Sequence, residues 1–159
     1  MRVERSEDEE IAAFLEADKR ILKRMRWKHK GHRDYVYISV AVLWDDFGKT
    51  KRGQLNITSH CIAVPRRFTI CLNFRGKRVL GLDVNPGQAH KNILIKATIK
   101  RTHWHIYTSP DAEEDDRNLI FSAWIYEFLE KSKIYAKSPP SAPPMAREVQ
   151  LLLPGCDHA

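Results

Sequence analysis

His103 and His105 alternate along Thr102–Thr108, a run rich in aromatic and β-branched residues. Successive side chains of a strand point to opposite faces, so the two imidazoles share one face, and Tyr107 continues it. Upstream, Asp83 closes an apolar run, Asn85-Pro86-Gly87 makes a turn, and His90 and Asn92 follow. Hairpin-linked strands would bring Asp83, His90, His103 and His105 together, with no other comparable cluster in the chain.

These residue types admit three chemistries. In the first, two imidazoles titrating near neutrality act as general base and general acid. One takes the proton of a ribose 2′-hydroxyl and the other protonates the leaving 5′-oxygen. Nearby Lys or Arg would stabilise the phosphorane, Asp83 would fix one tautomer, and neither metal nor other cofactor is needed. In the second, His-x-His with a further His and a carboxylate ligates Zn, Fe or Mn. PGQAHKN resembles the second motif of cupins, but its spacing is short and the His-x-His pair follows it. No Glu stands three to four residues beyond His105 either. In the third, the histidines are ordinary, satisfied structural residues. The first is the leading expectation.

The elements that must position these groups can be read along the chain. Ser6-x-x-Glu9 is a capping box, and Ile11, Phe14, Leu15, Leu22 and Met25 recur at helical spacing, which predicts a helix over 7–25. Strands are expected over Tyr35–Leu43, Leu55–Val64, Arg67–Phe74, Arg78–Val84, Ile93–Ile99 and Thr102–Thr108, with Val36, Ile38, Val40 and Val42 on the apolar face of the first. Arg75-Gly76-Lys77 reads as a tight turn. Asp115 or Asp116 would cap a second helix over 116–133, with Leu119, Ile120, Ala123, Trp124, Phe128 and Leu129 on its buried side. The expected fold is α+β: a curved antiparallel sheet or half-barrel of five to six strands, flanked by an N-terminal and a C-terminal helix.

The 159 residues suit one domain, over 1–136, followed over 137–159 by a Pro-rich linker and a tail with an apolar cluster at Val149, Leu151, Leu152 and Leu153. No apolar run approaches the ~20 residues that span a bilayer, so no membrane is expected. An acidic N-terminus without an apolar signal region, and three cysteines without a C-x-x-C pair, point to a reduced, cytoplasmic protein.

The net charge is +7, and its distribution is uneven. Eight basic residues and no acidic one lie between Lys19 and Arg33, with Trp27, His29 and His32 among them. Lysines and arginines that end a helix complement its dipole. Arg24, Arg26, Lys28, Lys30 and Arg33, with Lys49, Lys51 and Arg52 further on, are left as candidate contacts for RNA or another polyanion. Trp27 could stack on a base or pack on the core. A solvated basic surface, or one that binds an acidic protein, is the alternative. Self-association is open.

An acidic-start helix, several strands, L-D-V-N-P-G-x-x-H-K-N, H-W-H-I-Y and an aromatic-rich terminal helix follow one another. This order resembles a group of small bacterial toxin-like proteins and, distantly, the TumE-type toxins of toxin–antitoxin pairs. The likeness spans residues 8–133 in element order, and its specific part is Leu82–Asn92 with His103–Tyr107. It implies a ribonuclease-like toxin with a separately encoded antitoxin. By position it implies Asp83, His90, Asn92, His103 and His105 as the catalytic set. Ile93–Arg101 departs from the group as a longer, strand-like insert, and the Pro-rich tail is extra.

Overall fold

The longest β-branched run finds its partner across a two-residue turn. β3 (Tyr35–Asp46) and β4 (Lys49–His60) pair over their whole length. Phe47 and Gly48 both take positive φ (48° and 77°), the backbone of a type I′ hairpin. The same geometry at Arg75 and Gly76 (53° and 73°) joins β5 (Phe68–Phe74) to β6 (Lys77–Val84), where the sequence places a tight turn. The computed structural model describes residues 4–29, 31 and 34–145.

The remaining elements are short. They are α1 (Glu7–Glu16), β1 (Lys19–Ile21), β2 (Lys28–His29), β7 (His90–Lys91), β8 (Thr98–Ile99), β9 (His103–Ile106), β10 (Glu113–Glu114), α2 (Phe121–Ser132) and β11 (Ile134–Ala136). The main sheet is open, in the order β10-β9-β6-β5-β4-β3-β1-β11, with β2 also pairing with β3. All its pairings are antiparallel except β1 with β11. β7 and β8 form a separate two-stranded ribbon. The fold is thus α+β, as expected, but with nine strands in the main sheet rather than five or six. No described helix is long and apolar enough to cross a membrane.

One face of the sheet is the core. Val36, Ile38, Val40, Val42 and Trp44 of β3 are buried, with Leu55, Ile57, Ile70, Leu72 and Leu82 on neighbouring strands. Onto most of these pack Ile11 and Phe14 of α1 and Phe121, Trp124, Ile125 and Phe128 of α2. Phe14 stacks on Phe74 at 4.4 Å and leaves no room at Gly53, where a Cβ would stand 2.7 Å from its ring.

Several expected boundaries move. The capping box forms, with the Ser6 side chain accepting from the Glu9 N–H and Glu9 accepting from the Ser6 N–H. The helix nevertheless ends at Glu16, not 25, because Lys19–Ile21 pair as a strand with β3 and β11. Asp115 does not cap α2. It accepts from the Trp104 indole and Arg117, and the helix starts after Ile120 without a side-chain cap. The expected strand Ile93–Ile99 shrinks to Thr98–Ile99, and Ile93, Leu94 and Ile95 are exposed at a turn. That turn is pinned by the Asp111 carboxylate, which accepts from the N–H groups of Leu94 and Ile95. Trp27 packs on Phe121 and donates to the Ser141 carbonyl, so the start of the Pro-rich segment is held against the body. The apolar cluster at Val149–Leu153 lies outside the described residues.

Candidate metal centre

Asp83 reaches the open face of the sheet through an irregularity. The β5–β6 register shifts by one between Leu72 and Asn73, so that Val79 and Leu80 are both buried. A one-residue shift exchanges the two faces of a strand. Beyond it, Gly81 and Asp83 turn away from the core, while Leu82 and Val84 turn towards it.

β9 then lies against β6, with His103 opposite Asp83 and His105 opposite Gly81. Directly opposed residues share a face, so both imidazoles stand beside the carboxylate. The third ring comes from β7, where His90 pairs with Ile99 of the ribbon. His103 is 2% exposed and His105 16%. Tyr107 does not continue this face. The strand ends at Ile106, and the phenol donates to Asp8 of α1, on the opposite side of the sheet.

One carboxylate oxygen, Asp83 Oδ2, lies 3.2 Å from His103 Nε2 and 3.0 Å from His105 Nε2. The other, Oδ1, accepts from the Thr69 hydroxyl at 2.9 Å. The ring centroids are 5.4 Å apart for His90–His103, 4.7 Å for His90–His105 and 4.8 Å for His103–His105. One ligating atom from each imidazole can be chosen so that all lie within 4.8 Å of one another.

These spacings are those of a cluster that could close on a tetrahedral ion. With metal–nitrogen bonds of about 2.0–2.1 Å, donor atoms stand about 3.3 Å apart and ring centroids about 5 Å apart. The carboxylate–imidazole distances of 3.2 and 3.0 Å are close to that value, and the three imidazole donors, within 4.8 Å of one another, would draw in on an ion.

His103 has its tautomer fixed. Its Nδ1 is 2.8 Å from the Arg101 carbonyl, which can only accept, so Nδ1 carries the hydrogen. Nε2 then faces the Asp83 carboxylate, and a bare Nε2 would set two acceptors against each other. Two facing acceptors need a cation between them, either a proton on Nε2 or a metal ion. A backbone carbonyl on the far nitrogen is the usual arrangement behind a ligating histidine.

The electrostatics of the cluster are set by one carboxylate among several cationic groups. Burial pushes the Asp83 carboxyl up, but hydrogen bonds from His103, His105 and Thr69 outweigh it and hold it far below the usual carboxylate range. Burial depresses His103, but the Asp83 hydrogen bond and the Arg101 carbonyl raise it overall. His90 is lowered, by burial first and then by the charges of His105 and His103.

The cluster opens into a cleft of about 530 Å³ lined by Tyr35, His60, Arg67, Asp83, His90 and His103 among others. Arg67 fits because residue 87 is glycine: a Cβ there would collide with its guanidinium. Arg78 lies across Gly81, with its Cδ and Nε 3.1 and 3.3 Å from where a Cβ would be, and its charge bears on His90 and His103. Neither arginine nor Thr69 stands out in the sequence as part of the site. The turn at Arg75-Gly76 would place Thr69 near Asp83 only once the register shift is known.

Asn92 is not turned to this use. It is 2% exposed, and its carboxamide donates to the Ala112 carbonyl and accepts from the Ala112 N–H, which ties the ribbon to the body. Of the basic candidates, Arg24, Arg26, Lys28, Lys49 and Arg52 are exposed, and Lys51 is engaged by Glu10 and Asp46 at 2.8 Å. Lys30 and Arg33 lie outside the described residues. No protein-family model, curated protein or solved structure matches the chain.

Proposed function

We propose that the protein is a metal-dependent hydrolase of phosphodiesters, with RNA as its substrate. The observation that carries this reading is the convergence of three imidazoles, with Asp83 Oδ2 lying 3.2 Å from His103 Nε2 and 3.0 Å from His105 Nε2 and one ligating atom of each ring within 4.8 Å of the others. His90, His103, His105 and Asp83 would hold Zn²⁺ or a similar divalent ion, with His90 on the cleft side. Such an ion would polarise a phosphoryl oxygen and lower the pKa of water towards neutrality. Water would attack phosphorus and leave its hydroxyl there, the bond to the leaving ribose oxygen would break, and the released proton would pass to that oxygen. Arg67 and Arg78 flank the cluster with fixed positive charge, which favours an anionic substrate. Growth arrest by RNA cleavage, relieved by a neutralising antitoxin, would follow from such an activity.

A metal-free reading has one observation in its favour. His103 is raised and His90 lowered, the divergence expected of an acid and a base. Against it, the three rings stand only 4.7–5.4 Å from one another, centroid to centroid, and two of them already share the Asp83 carboxylate, which leaves little room for a phosphate between them.

Purified protein, the His103→Ala/His105→Ala double variant and EDTA-treated protein are incubated with total RNA, beside measurement of bound metal by mass spectrometry. The expected outcome is near-stoichiometric zinc, iron or manganese in the wild type, cleavage abolished by EDTA and restored by the metal, and neither metal nor cleavage in the folded variant. Cleavage that resists EDTA would select the metal-free reading. Metal-replete protein that cuts no RNA would leave a binding module.

A further inference from the structure

Seven strands contribute one residue each to a single row across the open face, which begins at Lys28 and ends at Glu114, opposite His103. Lys28 stands opposite Tyr37, Tyr37 opposite Thr58, Thr58 opposite Thr69, Thr69 opposite Asp83, and Asp83 opposite His103. Neighbouring strands are about 4.8 Å apart, so the row runs about 24 Å from the basic edge to the cluster. A second row, one pleat further along, holds Ser39, Asn56, Cys71, Gly81 and His105. Directly opposed side chains share a face. Hydrogen bonds from Thr69 to Asp83 at 2.9 Å and from Gln54 to Ser39 at 2.5 Å bear this out at two points.

No large aliphatic occurs in either row. The residues between them on the same strands, Ile38, Ile57, Ile70 and Leu82, are buried under the helices. The open face therefore offers hydroxyls, an amide, a phenol and a thiol, with Tyr37 half-buried and Ser39 exposed. Positive charge stands at the start of the row and beside the cluster, while beyond His103 the row ends at Glu114, 3.9 Å from Arg101. Lys28 is exposed at the β2 edge, and the Arg78 guanidinium group lies over Gly81 next to His105.

We propose that single-stranded RNA lies along the Lys28–His103 row, with a base stacked on Tyr37 and phosphates on Lys28 and Arg78, and so feeds one phosphodiester to the metal centre. This placement rests on the RNA-cleaving reading above. Lys28 and Arg78 favour a polyanion, and a polar face with a half-exposed ring favours one whose bases are free to stack. A-form duplex buries its base faces, and a cleft of about 530 Å³ admits a nucleotide rather than a helix. Lys28, a candidate contact from the sequence, is placed on this row by the pairing of β2 with β3, which sets it opposite Tyr37.

The test is fluorescence anisotropy with a short fluorescein-labelled single-stranded RNA of mixed sequence and full-length protein stripped of metal, so that the probe survives. Tyr37→Ala is expected to weaken binding about tenfold, while Tyr37→Phe, which keeps the ring, binds as the wild type. Lys28→Ala should lower the slope of log affinity against log salt by about one. Lys131→Ala, on the helical face, should change nothing, and the duplex form of the probe should bind about tenfold more weakly. Equal affinity for duplex, or Tyr37→Ala and Asn56→Ala both folded and both binding normally, would overturn the placement. So would the absence of binding. Because no metal is present, the result is independent of the catalytic reading: RNA held on this row by a protein that never cleaves it, with metal restored, would overturn that reading alone.

Discussion

Asp83 Oδ2 is shared by two imidazoles, and in the metal-free protein a proton must hold them together. The Asp83 carboxyl is held far below its ordinary pKa, so its contribution to stability is present above about pH 4 and is lost in more acid solution. His103 is raised, so its contribution is complete below about pH 6.5 and fades as pH rises through the raised value. The pair therefore stabilises the metal-free fold most between those limits. EDTA-treated protein is expected to show a higher urea midpoint at about pH 5.5 than at about pH 8, with the difference reduced in Asp83→Asn. A variant that keeps the full difference would mean that the pair is not its source. Metal reverses the trend, because a ligating imidazole must give up its proton.

At the scale of elements, Lys19 decides how both helices end. It is 2% exposed, and its ammonium donates to the carbonyls of Leu15 and Ala17, at the end of α1, and of Ser132, at the end of α2. A cation at the negative ends of two helices satisfies acceptors that would otherwise be buried without partners. Lys19→Met removes the charge but keeps most of the volume, and should cost about 2–3 kcal/mol in chemical denaturation. A loss of under about 0.5 kcal/mol would show that water serves those carbonyls equally well. The same residue starts β1, which is why the helical periodicity of residues 19–25 did not extend α1. The edge of β3 offered Leu43 and Trp44 as pairing partners, and tertiary pairing outweighed propensity.

At the scale of the molecule, the cluster joins two sheets. His103 and His105 belong to the main sheet and His90 to the β7–β8 ribbon, so a bound ion would staple one to the other. Zinc should therefore raise the melting temperature and slow hydrogen exchange at the amides of 90–99 more than elsewhere. Uniform protection, or none, would place the ion away from the ribbon. The same ribbon presents Ile93, Leu94 and Ile95 to solvent, where alternation suggested a half-buried strand. Periodicity reports that a segment can form a strand; whether a neighbour exists to cover it depends on the rest of the chain.

What the amino-acid order determined by itself was local. The alternation of His103 and His105, the apolar face of β3, the Arg75-Gly76 turn and the capping box at Ser6 each depend on contacts within a few residues, and each formed. Tertiary structure decided the rest. Without the register shift beside Leu72, Asp83 would point into the core and Val79 would not be an extra buried residue. Asn92, adjacent to the cluster in sequence, went to the Ala112 backbone, while Thr69 came to the site from β5, Arg67 from the segment before it and Arg78 from the far end of β6. A one-residue slip costs the local pattern almost nothing but exchanges the faces of a strand, so which side chains meet at the cluster was set only when the strands paired.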